Sequence, residues 1–238
     1  MGSGSCHTVA EPEGKLPLLL SWVTYMTAAR PLRVDAERNR RRIVDAAKSL
    51  FAERGVDVSV EDIAAAAGVG IGTFYRRFPD RESLIEAVFA TKLERVTQIA
   101  REALEIEDPW EAFRTFVTTV ARMHAGDRGL KDVLLTSDRG REHVAAFRRT
   151  IQPLAGQLLD GAKAAGMLRE DVTLFDLAMI YQAVGAIADI TRDVSPDAFE
   201  RTLTLLVDGL VQDRTTTPMP GPAPDIEQLV AIMGRHRR

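Results

Sequence analysis

The chain of 238 residues is long enough to bury a sizeable core, in one domain or two. Its 45% hydrophobic and 27% charged residues are ordinary for a globular protein, and no run of about 20 apolar residues marks a membrane span. A single cysteine, Cys6, excludes a disulfide framework or thiolate metal site within one chain and suits a reducing cytoplasm.

The net charge of −3 conceals an asymmetry. Thirteen Lys/Arg face eleven Asp/Glu between Arg30 and Val96, whereas seventeen face twenty-one from Thr97 onward. The basic excess gathers in Arg30, Arg33, Arg38, Arg40, Arg41 and Arg42, just ahead of the first strongly periodic helix. Helix starts favour acidic side chains, so this cluster points to an arm that meets a polyanion.

Residues 1–29 read as a disordered extension, because they are small and polar at first and carry Pro12 and Pro17. The apolar stretch 16–23 has the outline of a secretory signal, but Glu11 and Glu13 precede it where positive charge is required. A translation start at Met26, or an added tag, fits better, and residues 1–25 are expected to be dispensable.

From Asn39 the spacing is helical, with Ile43, Ala47, Leu50 and Phe51 on one stripe and Gly55 at its end. Ser59 reads as an N-cap, and a short helix follows over 63–67 until Gly68 stops it. A second short helix spans about 71–78, and Asp80 caps a third carrying Leu84, Val88, Leu93, Val96 and Ala100. Further helices are expected from Pro109, over 141–165, over 174–191 and over 197–213, with a short segment at 130–135. The tail 215–238 is Pro-rich and reads as a linker, with a last loose helix over 226–233. No segment alternates with a period of two, so the fold class is all-α.

The segment SVEDIAAAAGVGIGTFYRRF carries the chemistry. Two short helices joined by a tight turn at 68–70 are a helix-turn-helix, and the alanines at 64–67 let them approach closely. Val69, Phe74 and Phe78 fill the wedge beneath. Ile71, Gly72, Thr73, Tyr75, Arg76 and Arg77 remain outward, as compact and hydrogen-bonding groups suited to a DNA groove and its phosphate edges.

Residues 36–96 closely resemble the DNA-binding region of the TetR family of transcriptional regulators. The matching elements are Ile-Ala, Ala-Gly-Val, Gly-Thr-Phe-Tyr and Phe-x-x-Arg-Glu-x-Leu. The resemblance implies that Ser59 caps the first motif helix and touches a phosphate, and that Thr73, Tyr75 and Arg81 bind the DNA backbone. Arg40, Arg41, Val60 and Gly70 complete the expected DNA-facing set. Gly70 departs from the pattern, since Ser or Thr usually fills that turn position.

The resemblance further implies domains at 30–80 for DNA and 81–214 for ligand binding and dimerisation. It also implies a palindromic operator in double-stranded DNA, a homodimer and a small-molecule effector; repression is the family habit. Ala183, Ala186, Phe199, Leu203, Leu206 and Leu210 are the expected dimer face. Trp110, Phe113, Phe116, Met123, Phe147, Met179 and Tyr181 gather enough large, adaptable side chains for a largely apolar pocket, with Tyr181 and His124 as polar contacts. Such stripes are most often plain core.

An enzyme fits less well. The Gly68-x-Gly70-x-Gly72 run follows an alanine-rich helix and not a strand, so it is no dinucleotide loop. His7, His124, His143 and His236 lack metal-ligand spacing, and no cofactor or metal is expected. The alternative is a helical ligand-binding or interaction module that has lost DNA binding; intact Thr73 and Tyr75 and the arginine cluster stand against it.

Overall fold

The computed structural model describes residues 18–127, 140–213, 217–225, 227, 228 and 232. Among them are eight helices: α1 (Leu18–Arg54), α2 (Val60–Ala66), α3 (Ile71–Arg77), α4 (Arg81–Leu104), α5 (Pro109–Ala125), α6 (Gly140–Ala164), α7 (Leu174–Thr191) and α8 (Ala198–Asp208). The only β-type pairing among the described residues is an isolated bridge between Leu168 and Val211. The short segment at 130–135 and most of the terminal helix lie outside the described residues.

Local chemistry sets the helix ends. Ser59, Asp80 and Asp108 each accept a hydrogen bond from the backbone N–H three residues on, at 3.1, 2.7 and 2.8 Å. Pro109, which lacks an N–H, takes the first turn of α5, where none is needed. Gly68 closes α2 at φ +61, a conformation that L side chains rarely adopt.

The helices enclose two cores. Ile43, Ala47 and Phe51 of α1, Ile63 and Ala64 of α2, Phe74 of α3 and Leu84, Val88 and Phe89 of α4 form the first, in a head. Ile99, Ala100 and Ala103 of α4 join α5–α8 in the second, in a body. Leu93 packs against both. The head therefore continues past residue 80, the expected boundary, because the first turns of α4 pack on α1.

Three expectations need correction. Helix α1 starts at Leu18, so residues 18–29 are helical. Leu18, Leu19, Leu20, Met26, Ala28 and Ala29 are strong helix formers, and that propensity outweighs the missing amphipathic pattern. Helix α7 is long and apolar enough to cross a membrane, but it packs between α5 and α8 of the body. The Pro-rich tail is in part docked: Arg169 pairs with both oxygens of Asp171 and donates to Thr217 O at 2.6 Å, while Met219 N–H donates to Asp171 at 2.9 Å.

Arg169, and then the Met219 N–H, hold the Asp171 carboxyl down at about 2 against an ordinary value of 3.8. A depressed carboxyl stabilises above its unfolded value, so the dock is complete above about pH 4 and is lost as the pH falls through about 2. Arg169→Ala removes three of these bonds at once. We predict several-fold faster proteolytic cleavage within 213–225 with an unchanged melting temperature, read by mass spectrometry of the digest and by calorimetry.

Candidate nucleic-acid interface

Helix α3 spans only seven residues, too short to stand alone in water, and is held from below. Phe74 is fully buried, with the Phe78 ring 6.0 Å away, and the pair anchors the helix in the head. Gly70 O accepts from both Thr73 N and Phe74 N at the helix start. What α3 turns outward is Ile71, Gly72, Tyr75, Arg76 and Arg77, all exposed, with Thr73 half-buried among them.

Helix α1 brings its arginines to the same side. Arg42 reaches across to donate to Gly68 O in the turn at 3.3 Å, and its guanidinium fills the space where a Cβ at residue 68 would sit. Arg40 lies over the Phe78 ring at 5.4 Å, and Arg41 pairs with Glu37 at 3.3 Å. Arg76 folds back on its own helix, to Gly72 O and Thr73 Oγ1 at 3.2 Å each. The structure thus brings Arg42 to the turn from which α3 starts, and Arg40 against Phe78 where α3 ends. Arg42, which the sequence-based set leaves out, belongs to it; its place within the arginine run was the available signal.

Two members of the set sit differently. Arg81 is half-buried and donates to Val58 O at 2.6 Å, while its Nη2 is buried with no hydrogen-bond partner among the described residues. That bond braces the residues ahead of Ser59. Val60 is half-buried and packs against the head core.

In the body, Phe113 and Phe116 are fully buried core, with the Trp110 ring 5.9 Å from Phe113. His124 is buried and stacks on Tyr181, ring centroids 5.4 Å apart. The Tyr181 hydroxyl is buried without a hydrogen-bond partner among the described residues, and burial pushes it up from its ordinary value. Met179 is half-buried, the side chain of Phe147 lies outside the described residues, and Met123 lines a cleft of about 520 Å³ between head and body. No group of three or more His, Cys, Asp or Glu able to hold a metal occurs among the described residues.

The expected dimer face is corrected in part. Leu203 and Leu210 are buried in the protomer's own core. Ala183 and Ala186 are exposed, Phe199 and Leu206 half-buried, and the most exposed large apolar side chains among the described residues are Ile190, Val194 and Leu205. Sequence reasoning missed these three. For Ile190 the signal was α7 itself, which is more apolar than one buried face requires; Val194 follows that helix and Leu205 lies on α8, off the apolar stripe.

Residues 43–88 match the family model for bacterial regulatory proteins of the tetR family, and residues 108–212 match that of the SbtR-like transcriptional regulator C-terminal domain. A TetR transcription regulatory protein from Mycobacterium vanbaalenii, whose crystal structure is known, is 35% identical over 76% of this chain and 100% of its own, with a TM-score of 0.54. The chain belongs to the TetR family of transcriptional regulators. A TetR transcriptional regulator from Streptomyces coelicolor is 33% identical over 72% of this chain and 98% of its own, TM-score 0.51. The HTH-type transcriptional regulator UidR of Escherichia coli K12 is 24% identical over 76% of this chain and 96% of its own. The head is accordingly a DNA-binding helix-turn-helix, and the chain a DNA-binding regulator.

Gly70 caps α3 with φ −71 and ψ 150, ordinary for any residue, and a Cβ there meets nothing within 4 Å. Gly70→Ser therefore fits without strain. We predict a gain of a few tenths of a kcal/mol in stability, since serine outranks glycine as a cap. An added phosphate contact should raise DNA affinity about threefold. Thermal melts and fluorescence anisotropy on a labelled duplex check both.

Proposed function

We propose that the protein is a dimeric repressor acting in the cytoplasm, which reads a palindromic operator through two copies of α3 and is released by a small, largely apolar ligand held in the body. The observation that carries the DNA side is the meeting of Arg42 of α1 with the turn from which the exposed face of α3 begins. In this reading Thr73, Tyr75, Arg40, Arg41 and Arg77 meet phosphates, as do the Ser59 and Gly70 ends of α2 and α3. Ile71, Gly72 and Arg76 face base edges, with Arg76 swinging off Thr73 to do so. Arg81 and Val60 act one step back, by holding α2 in place.

A second copy of the chain is the proposed cover for Ile190, Val194 and Leu205, which are 83%, 92% and 73% exposed. Ala183 and Ala186 beside them allow close helix approach, as a symmetric four-helix bundle requires. Two heads then address two half-sites. Phosphate neutralisation releases counterions, so affinity should fall about a thousandfold or more between about 50 and 200 mM salt. Leu205→Glu should give a monomer by sedimentation and lose most operator affinity, whereas salt-independent binding or an unaffected dimer contradicts the reading.

The proposed ligand is largely apolar and carries one hydrogen-bonding group. The Tyr181 hydroxyl beside His124 supports this, because a buried hydroxyl without a partner costs about 1–3 kcal/mol, which a ligand can recover. A hundredfold loss of operator affinity needs about 2.7 kcal/mol of ligand preference for the released form. Tyr181→Phe separates the roles of the site. It should stabilise the ligand-free protein by about 1 kcal/mol, while weakening the thermal shift given by any hit from an apolar compound screen. A destabilised variant with an unchanged ligand shift would place the ligand elsewhere.

A further inference from the structure

Among the residues whose side chains are described, Lys92 is the only lysine, arginine or carboxylate that is buried, at 5% exposure. Its Nζ lies 2.7 Å from Asp127 Oδ2, and the Asp127 side chain is itself mostly covered. Removing an ammonium from water is tolerable only with a counter-charge at hand, so the pair is a fixed contact and not a passing one.

Its place in the fold is what matters. Lys92 precedes Leu93, the side chain of α4 that packs against both cores. Asp127 stands just past the end of α5, and its N–H donates to His124 O at 3.3 Å. The same end of α5 is held from the other side by Arg192, which follows α7 and donates to Ala125 O at 3.3 Å. The ion pair thus ties the body to α4 at the level where α4 leaves the body and enters the head. Lys48 of the head lines the same cleft as Lys92 and Asp127, so there is open space into which α4 can tilt.

We propose that Lys92 and Asp127 are positioning residues for operator binding: their ion pair sets the angle at which α4 carries the head, and hence the spacing of the two α3 helices. An apolar contact at this level slides, whereas a charged pair in a poorly hydrated site resists separation and rotation together. The inference rests on DNA binding by the head and on the proposed dimer, and is independent of the proposed ligand.

The test compares the parent with Lys92→Met, with Asp127→Asn and with the double variant Lys92→Met/Asp127→Leu. Each is made in the full chain with Cys6→Ser, and spin labels are placed at Glu61→Cys on the head and Gln157→Cys on the body, both exposed. Labelled protein is diluted into unlabelled protein so that only distances within one protomer are read. The single variants leave one charge buried alone and are expected to melt early. The double variant leaves none, so it should fold and melt with the parent. We expect it to show a broadened head–body distance distribution and about tenfold weaker binding to a duplex selected by the parent from a random pool. A folded double variant that keeps either the parental distance distribution or the parental affinity overturns the proposal. So does a double variant that unfolds with the single ones, which would make the pair part of the fold itself. Should the parent select no duplex, the DNA reading fails and the distance measurement alone decides.

Discussion

The structure turns on α4 being one unbroken helix that belongs to two cores. Leu84, Val88 and Phe89 are buried in the head, Ile99, Ala100 and Ala103 in the body, and Leu93 packs against both. Twenty-four residues make a rod of about 36 Å, so a small tilt where the body grips it becomes a larger displacement at the far end. Among the described residues the head has no other hold on the body of comparable extent. Wherever α3 points, α4 has aimed it.

The head can be small because its two motif helices borrow stability from their surroundings. Neither seven-residue helix would form alone; α2 is fixed by the Ser59 cap and by Ile63 and Ala64 buried beneath it, and α3 by Phe74. This leaves the outer face of α3 clear of packing duties, so Ile71, Tyr75, Arg76 and Arg77 are available to a partner. Tight packing below and an unencumbered surface above are what a rigid reading head needs. Arg42 reaching Gly68 O shows that this side chain of α1 belongs to the same surface.

The parts of this arrangement that depend on neighbours in sequence were legible from the residues. Ser59, Asp80 and Asp108 cap where their side chains reach an N–H three positions on, and Gly55 and Gly68 adopt positive φ where the helices stop. The wedge of Phe74 and Phe78 followed from helical spacing. What could not be read depends on distant contacts. Helical spacing puts Leu203 and Leu205 on opposite faces of α8, but that Leu203 faces the protomer's own core and Leu205 the solvent is decided by the placement of α8 against α5 and α7. Arg81 carries the resemblance to a phosphate contact in its sequence, but its bond to Val58 O, 23 positions earlier, is made only by the fold. Lys92 and Asp127 are separated by the second half of α4 and all of α5, and neither stands out in the linear chain.

The central claim is that two copies of α3, held by α4 at a fixed separation, read DNA. Selection from a pool of random duplexes by the full chain, followed by hydroxyl-radical footprinting of the recovered sequences, tests it most directly. The account predicts an enriched inverted repeat whose half-sites lie about one helical turn, roughly 10 base pairs, or a multiple of it apart, protected on one face of the duplex. Enrichment of a lone half-site, protection without symmetry or no enrichment at all would contradict it.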